Sequence, residues 1–552
     1  MRAAVATFIA SGLALATAAG CVGHITGGDD AGEELPPDEP RNVCSAGEAD
    51  VAGPRLLRRL TSREYTASVR AVFGLSAAEW TGPSLPADPA GRNGFTNNVD
   101  RLLVDESYAA ALETTAEGVA DALILPARLG QVLPCATAGG ATCARTFLDT
   151  VGRRVYRRPL TDDERARYIA LYERVSAQDD FATWVRWATV AMLSSPHFVY
   201  RSELGDRDGD TYRLTGYELA TALSFAFTGA PPTDGLLDRA ASGALDTPEG
   251  LASAARELAL DPSTGRARPA MRTVFQGFTD QWLGLSSLAN LVKSGEAFPG
   301  FTAEIRASMG RETSAFIDSV VFEQQGGVAD LLTSPTSVVD ASLAQFYGWP
   351  ATGTGATTRP DGWGVGLLAQ GSLLAINAGN TATSPTQRGA LIRERLLCAE
   401  IPPPPPVVGD LPPPTGTQTT RQRYEQHTAN PSCSGCHQLM DPIGFAFEHL
   451  DATGRYRATE NGVNIDATGY IAGLEQQVTF DGPTELAGAL AAESETAVCM
   501  ASFMASSAFG LDHHDSECLV SSLADQLARD EITIVDFYVG LTSTRHFTRR
   551  TD

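Results

Sequence analysis

Past its first twenty residues the chain has no apolar run near the ~18 residues that cross a bilayer, so its body is expected to fold in water. Basic charge is short: 42 Lys+Arg stand against 66 Asp+Glu over 552 residues, a net charge of -24. No Lys/Arg run and no basic face interleaved with aromatics offsets this locally. A phosphate backbone would be repelled, and nucleic acid is not an expected partner. Strand signals are sparse, and no Ser-His-Asp, metalloprotease or phosphate-loop pattern occurs. What is present is 43% hydrophobic and 20% charged, the balance of a folded chain, at a length that predicts roughly two to five domains. The chemistry must come from nine cysteines and eight histidines.

The N-terminus reads as an export signal. Arg2 is followed by an uncharged Ala- and Leu-rich stretch, Ala3 to Ala19, and then by Gly20-Cys21. One basic residue, a hydrophobic segment and small residues make a signal peptide over 1–20. Ala18-Ala19-Gly20-Cys21 resembles a bacterial lipoprotein box, so Cys21 is expected to be lipidated and to become the mature N-terminus, with ordinary secretion as the alternative. Residues 22–40 are Gly-, Pro- and acid-rich with almost no aliphatic content, as suits a flexible tether, assigned to 21–52, between a membrane anchor and a folded body. The expected location is the cell envelope, as an outer-membrane lipoprotein facing the periplasm or the cell surface.

Helix starts recur along the body. Thr61 with Glu64, Thr161 with Glu164, Thr215 with Glu218 and Ser384 with Gln387 fit the capping box, in which each side chain satisfies the other residue's free backbone donor. Leu60 with Tyr65 and Leu214 with Leu219 add the hydrophobic staple. Phe181, Trp184, Ala188, Ala191 and Met192 recur at three- or four-residue spacing, as do Leu219, Leu223 and Phe227 before the stop at Gly229, and both sets read as buried core. The fold class is therefore mainly α. Two stretches interrupt it. Ile401 to Pro414 (IPPPPPVVGDLPPP) must run extended, because proline lacks the amide donor, and it reads as a linker. Asp206 to Asp210 looks like the start of a calcium loop but has Thr211 where Gly is needed and Tyr217 where Glu is needed, so it reads as a surface turn.

The strongest motif is Cys433-Ser434-Gly435-Cys436-His437. Two thiols three positions apart and an adjacent imidazole suit covalent attachment of one haem c: the thiols add to the two vinyl groups, and His437 reaches the iron from the same side. Attachment of this kind occurs outside the cytoplasm, in agreement with the leader. Thr419 to Gln426 is expected to form a short helix feeding the motif, and Asp441-Pro442-Ile443-Gly444 to turn the chain sharply after it. The competing readings are a redox dithiol of Cys433 and Cys436, a zinc site of His427, Cys433, Cys436 and His437, and a plain disulfide. The other cysteines are expected to pair in an oxidising compartment as Cys135–Cys143, which closes a short Gly-rich loop, Cys499–Cys518, and Cys44–Cys398 by elimination.

The opposite axial position separates the functions. Met440 lies too close to His437 in sequence to reach the far face, whereas Met500, Met504, His449, His513 and His514 could. A bound second ligand suits electron transfer with a redox partner protein, the leading function. An open iron suits a peroxidase- or oxygenase-like enzyme, and a haem-free, disulfide-stapled binding or scaffold protein is the third reading.

Taken together, these residues resemble the multi-domain cytochrome c-like proteins of unknown function typified by planctomycete and myxobacterial genomes, in which five small families follow one another in fixed order. Leu60 to Gly74 is similar to the opening domain (53–142). Phe147 to Val175, around Tyr156-Arg157-Arg158-Pro159-Leu160-Thr161, is similar to the second (143–206), and Tyr212 to Leu245 to the start of the third (207–350). Thr383-Ser384-Pro385, Arg388-Gly389, Leu397-Cys398, His427, Cys433 to His437, Asp441 to Phe445 and Asp451 resemble the fourth, a cytochrome c-like domain over 360–470. A fifth helical domain covers 471–552, with Gly510-Leu511 where the family has Gly-Arg. The resemblance implies haem at Cys433, Cys436 and His437 and export from the cytoplasm, and it implies no particular substrate.

Overall fold

The computed structural model describes residues 51–350, 355–402, 416–429, 431–474, 477–512, 516 and 518–552. The expected leader, Cys21, Cys44, the expected tether up to residue 50, nearly all of the proline run, His513 and His514 lie outside the described residues. The molecule is about 57% helical and 9% strand, so the mainly α reading holds.

The capping residues start the helices that the sequence indicates. Helices α1 (Ser62–Phe73), α3 (Asp162–Val175) and α5 (Gly216–Thr228) each begin with a reciprocal capping box, on Thr61, Thr161 and Thr215. Leu60 with Tyr65 and Leu214 with Leu219 are buried beside two of these caps. Ser384 caps in one direction, its side chain accepting from the Gln387 amide. With α2 (Glu106–Leu123) and α4 (Phe181–Leu193), the N-terminal helices enclose one core centred on Trp184, which meets Phe147 edge-on with centroids 5.4 Å apart. Ala191, expected inside, is exposed; it lies on the solvent side of α4 with Trp187, which is 45% exposed.

The second core is larger and continuous. It takes the inner faces of α5, α6 (Pro269–Trp282), α7 (Ala303–Asp318), α8 (Pro385–Leu396), α10 (Pro431–Phe445), α11 (Ser494–Phe509) and α12 (Ile534–Leu541), with α9 (Thr420–Thr428) laid alongside α10. Phe278 stacks on Trp282 inside it, and Ile443 from the motif helix is fully buried in it. The motif helix is thus a wall of this core.

Strands are few but join distant parts of the chain. Gly53–Pro54 pairs in parallel with the last strand, Arg549–Thr551, which lies antiparallel to Thr211–Arg213. Asp206–Asp208 completes this sheet as a hairpin with Thr211–Arg213, so the expected surface turn is the hairpin tip, with Gly209 at φ 65°. Leu56–Arg59 pairs with Tyr200–Glu203, register Leu56 to Glu203. Glu203 is consequently buried between two ends of the chain. Arg58 Nε lies 2.8 Å from one carboxylate oxygen and Arg550 pairs with the other, all three side chains being under 10% exposed.

Two of the expected disulfides are corrected. Cys135–Cys143 forms as the spacing indicates. Cys398, just past α8, is bonded to Cys499 on α11, with Cα atoms 5.5 Å apart. That excludes both Cys44–Cys398 and Cys499–Cys518. The reason is tertiary: α11 crosses the C-terminal end of α8 inside the common core, a contact that sequence separation does not reveal. Cys518 is itself disulfide-bonded.

Candidate functional site

The motif sits near the start of α10. Cys433, Cys436 and His437 fall at i, i+3 and i+4 and so share one flank of the helix. The short helix expected before the motif is α9, capped reciprocally by Thr419 and Gln422. Thr420 anchors it further, its amide and hydroxyl donating to the Glu460 carboxylate at 2.6 and 2.8 Å.

The sharp turn expected at Asp441-Pro442-Ile443-Gly444 is not there, because α10 continues through these residues to Phe445 with Pro442 inside the helix. The packing of α8 against α10 explains this. A Cβ on Gly389 of α8 would run into the Met440 carbonyl, and one on Gly444 would run into the Pro385 carbonyl. The two backbones touch where glycine permits it, and Ile443 is buried by the same contact. That contact outweighs the single backbone hydrogen bond that proline removes. The chain turns only after Phe445, and Arg388 satisfies the irregular segment. Its guanidinium donates to the carbonyls of Phe447, Leu450 and Asp451 at 3.0, 2.8 and 2.8 Å. Arg388-Gly389 and Asp451 thus serve the frame of the site, a role that the sequence pattern flagged as positions but not as chemistry.

His437 is oriented by its own helix. Nδ1 lies 2.8 Å from Asp441 Oδ2, one turn on, and Thr386 Oγ1 on α8 donates to Asp441 Oδ1 at 2.7 Å. The Asp441 side chain is 4% exposed and that of His437 18%. The hydrogen bond to Asp441 raises the imidazole pKa above its ordinary value, against the opposing effect of burial. With Nδ1 committed to the carboxylate, Nε2 is the nitrogen left to a ligand. Cys433 and Cys436 are both free thiols and half-buried, which removes the plain-disulfide reading of this pair. The His427 ring lies 5.1 Å from that of His437 and nearly perpendicular to it, and Tyr424 lies 6.5 Å away. Among the described residues no group of three or more His, Cys, Asp or Glu side chains is gathered as a metal cage.

A cavity of about 700 Å³ opens on the adjacent flank of α10, between it, α9 and the hairpin of Thr468–Ile471 and Val478–Asp481. Pro442, Phe445, Tyr470 and Phe480 supply apolar walls, and Asp441 belongs both to this cavity and to the His437 contact. Arg421 closes one side, its guanidinium 4.2 Å over the Phe445 ring and its Nε donating to the Asp466 carbonyl at 3.0 Å.

Of the far-side ligands suggested by the sequence, the described ones, Met500, Met504 and His449, have their recorded contacts away from His437. Met500 and Met504 are fully buried in the second core. Met440 is buried, its carbonyl facing Gly389. His449 stacks on Tyr456 with centroids 5.5 Å apart and bonds the Arg457 carbonyl through Nδ1 at 3.0 Å. Sequence reasoning placed Asp441 only in a turn and left Thr386 unnoticed. The i, i+4 spacing of His437 and Asp441 was the available signal for the former.

Comparison with family models gives four consecutive matches, each described as a protein of unknown function: PSD3 (DUF1587) over residues 58–125, PSD5 (DUF1595) over 143–203, PSD4 (DUF1592) over 214–349 and PSCyt3 (DUF1588) over 365–460. No curated protein matches the chain. No solved structure matches it. Residues 461–552 lie beyond the four matched ranges. The chain therefore carries a tandem array of four such domains, and the PSCyt3 domain is the one that holds Cys433, Cys436, His437 and Asp441.

Proposed function

We propose that this chain is an exported c-type haem protein that works in electron transfer in the cell envelope, held to the membrane by a lipid on Cys21. The observation that carries this reading is the donor set on α10: two free thiols and an imidazole on one helix flank, with Nδ1 of the imidazole already occupied by Asp441. This set fits haem c. Cys433 and Cys436 would hold the porphyrin through thioether bonds, and His437 would bind its iron through Nε2. When bound, the group supplies one-electron redox chemistry. The chain's own part is to hold the imidazole in one tautomer through Asp441 and to fix both thiols and the ring on one helix flank. The leader accounts for export to the compartment where such attachment occurs, and a net charge of -24 favours a redox partner with a basic docking face.

The test is maturation of the full chain in a host that attaches haem c. The expected result is a c-type pyridine haemochrome and a mass increase of one haem, both lost in a Cys433→Ser, Cys436→Ser variant. A mature chain without added tetrapyrrole would leave only the haem-free scaffold reading. Carbon monoxide then distinguishes the two haem functions. A reduced protein whose spectrum it leaves unchanged has a closed iron suited to electron transfer, and one that binds it has the open iron of an oxidative enzyme.

A further inference from the structure

We propose that Asp441 is the positioning residue of His437, fixing the ring so that Nε2 faces outward and strengthening it as a donor, so that a bound haem is biased toward its oxidised state. This rests on the haem reading above.

Three observations carry it. The imidazole and the carboxylate sit one turn apart on the same rigid helix, at 2.8 Å. The second carboxylate oxygen is held from a different helix by Thr386, across an interface where Gly389 and Gly444 bring the backbones into contact and leave no slack. The carboxylate is therefore fixed at both oxygens. Third, among the described residues no guanidinium pairs with it, although Arg421 lines the same cavity. Among the described residues the ion pair of Asp441 is with His437, whereas the buried Glu448 nearby is matched by Arg457 at 2.7 Å and approached by Arg388. A carboxylate at 4% exposure whose ion pair is with the imidazole itself polarises the Nδ1–H bond and pushes electron density to the far nitrogen.

The experiment compares the matured wild type with Asp441→Asn and Thr386→Val, measuring haem content by pyridine haemochrome and midpoint potential by redox titration. Asparagine keeps an oxygen for Nδ1–H but removes the charge. The expected result is unchanged haem per chain and a higher potential, the reduced-to-oxidised ratio at the wild-type midpoint rising roughly tenfold, or about 59 mV for one electron. Thr386→Val should shift it in the same direction by less. Full haem content with an unmoved potential in both variants would overturn the inference while leaving the haem reading intact; absence of haem from the wild type would overturn the haem reading instead. Nitrogen-15 spectra of protein prepared without haem provide an independent check. His437 should carry its proton on Nδ1, and the Nε2–H tautomer would overturn the positioning role.

Discussion

Glu203 and Asp441 are both nearly inaccessible carboxylates, yet they are held in opposite ways. Glu203 comes from a strand in the middle of the chain and faces Arg58 from the start of the folded body and Arg550 from its end. Burial alone would raise its pKa, but Arg58 and Arg550, with Arg201 beyond them, outweigh burial and hold it down to about 2. Asp441 has a neighbour four residues away for its only ion pair among the described residues, and that neighbour is an imidazole. A carboxylate clasped by guanidiniums has its charge consumed in joining segments 145 and 347 residues apart. One that meets only an imidazole keeps its charge available to polarise that ring. Partner type, rather than burial, separates the clamp from the candidate site.

The contrast can be broken or sharpened by substitution. The largest effect is expected at the other long-range tie, Cys398–Cys499, whose closed segment spans 101 residues. Replacing both by serine should cost about 4.7 kcal/mol by loop-closure entropy, read as a lower midpoint in chemical denaturation, and should leave the His437–Asp441 pair intact. Glu203→Gln leaves Arg58 and Arg550 buried without their counter-charge and should cost about 3–5 kcal/mol. Because the folded pKa of Glu203 is depressed from 4.5 to about 2, its contribution is present above 4.5 and lost as pH falls toward 2. The variant should therefore show a shallower acid-side decline, and an unchanged acid profile would refute the clamp. Gly389→Ala drives a methyl group into the Met440 carbonyl and should cost about 1–3 kcal/mol while displacing Thr386 from Asp441. The smallest effect is Thr386→Val, which removes the hydrogen bond to Asp441 and the 3.5 Å contact with His437 Nδ1 and, by leaving a buried carboxylate oxygen unpaired, should cost about 1–2 kcal/mol by thermal denaturation. A loss as large as that at Glu203 would make Asp441 a structural clamp as well.

Local features were legible in the sequence. Thr61, Thr161 and Thr215 started helices because a capping box is satisfied within four residues, whatever the chain does elsewhere. The shared flank of Cys433, Cys436 and His437 follows in the same way from helical period, as does the short loop that lets Cys135 meet Cys143. The failures were of another kind. Asp441 to Gly444 has the residues of a turn, and only the close approach of α8 at Gly389 kept it helical. Cys398 chose Cys499 because α11 crosses the end of α8. Met500 and Met504, possible ligands by chemical type but read first as core methionines, are core.

The sequence by itself determined the helical class, the helix starts, and the thiols and imidazole that define the candidate site, because each depends on groups within a turn or two of one another. Tertiary structure alone decided which cysteines met across 101 residues, where Glu203 found its two arginines, and that Thr386 would pin the carboxylate behind His437. Those outcomes depend on how helices and chain ends pack, and packing is set by the whole core at once rather than by any one segment.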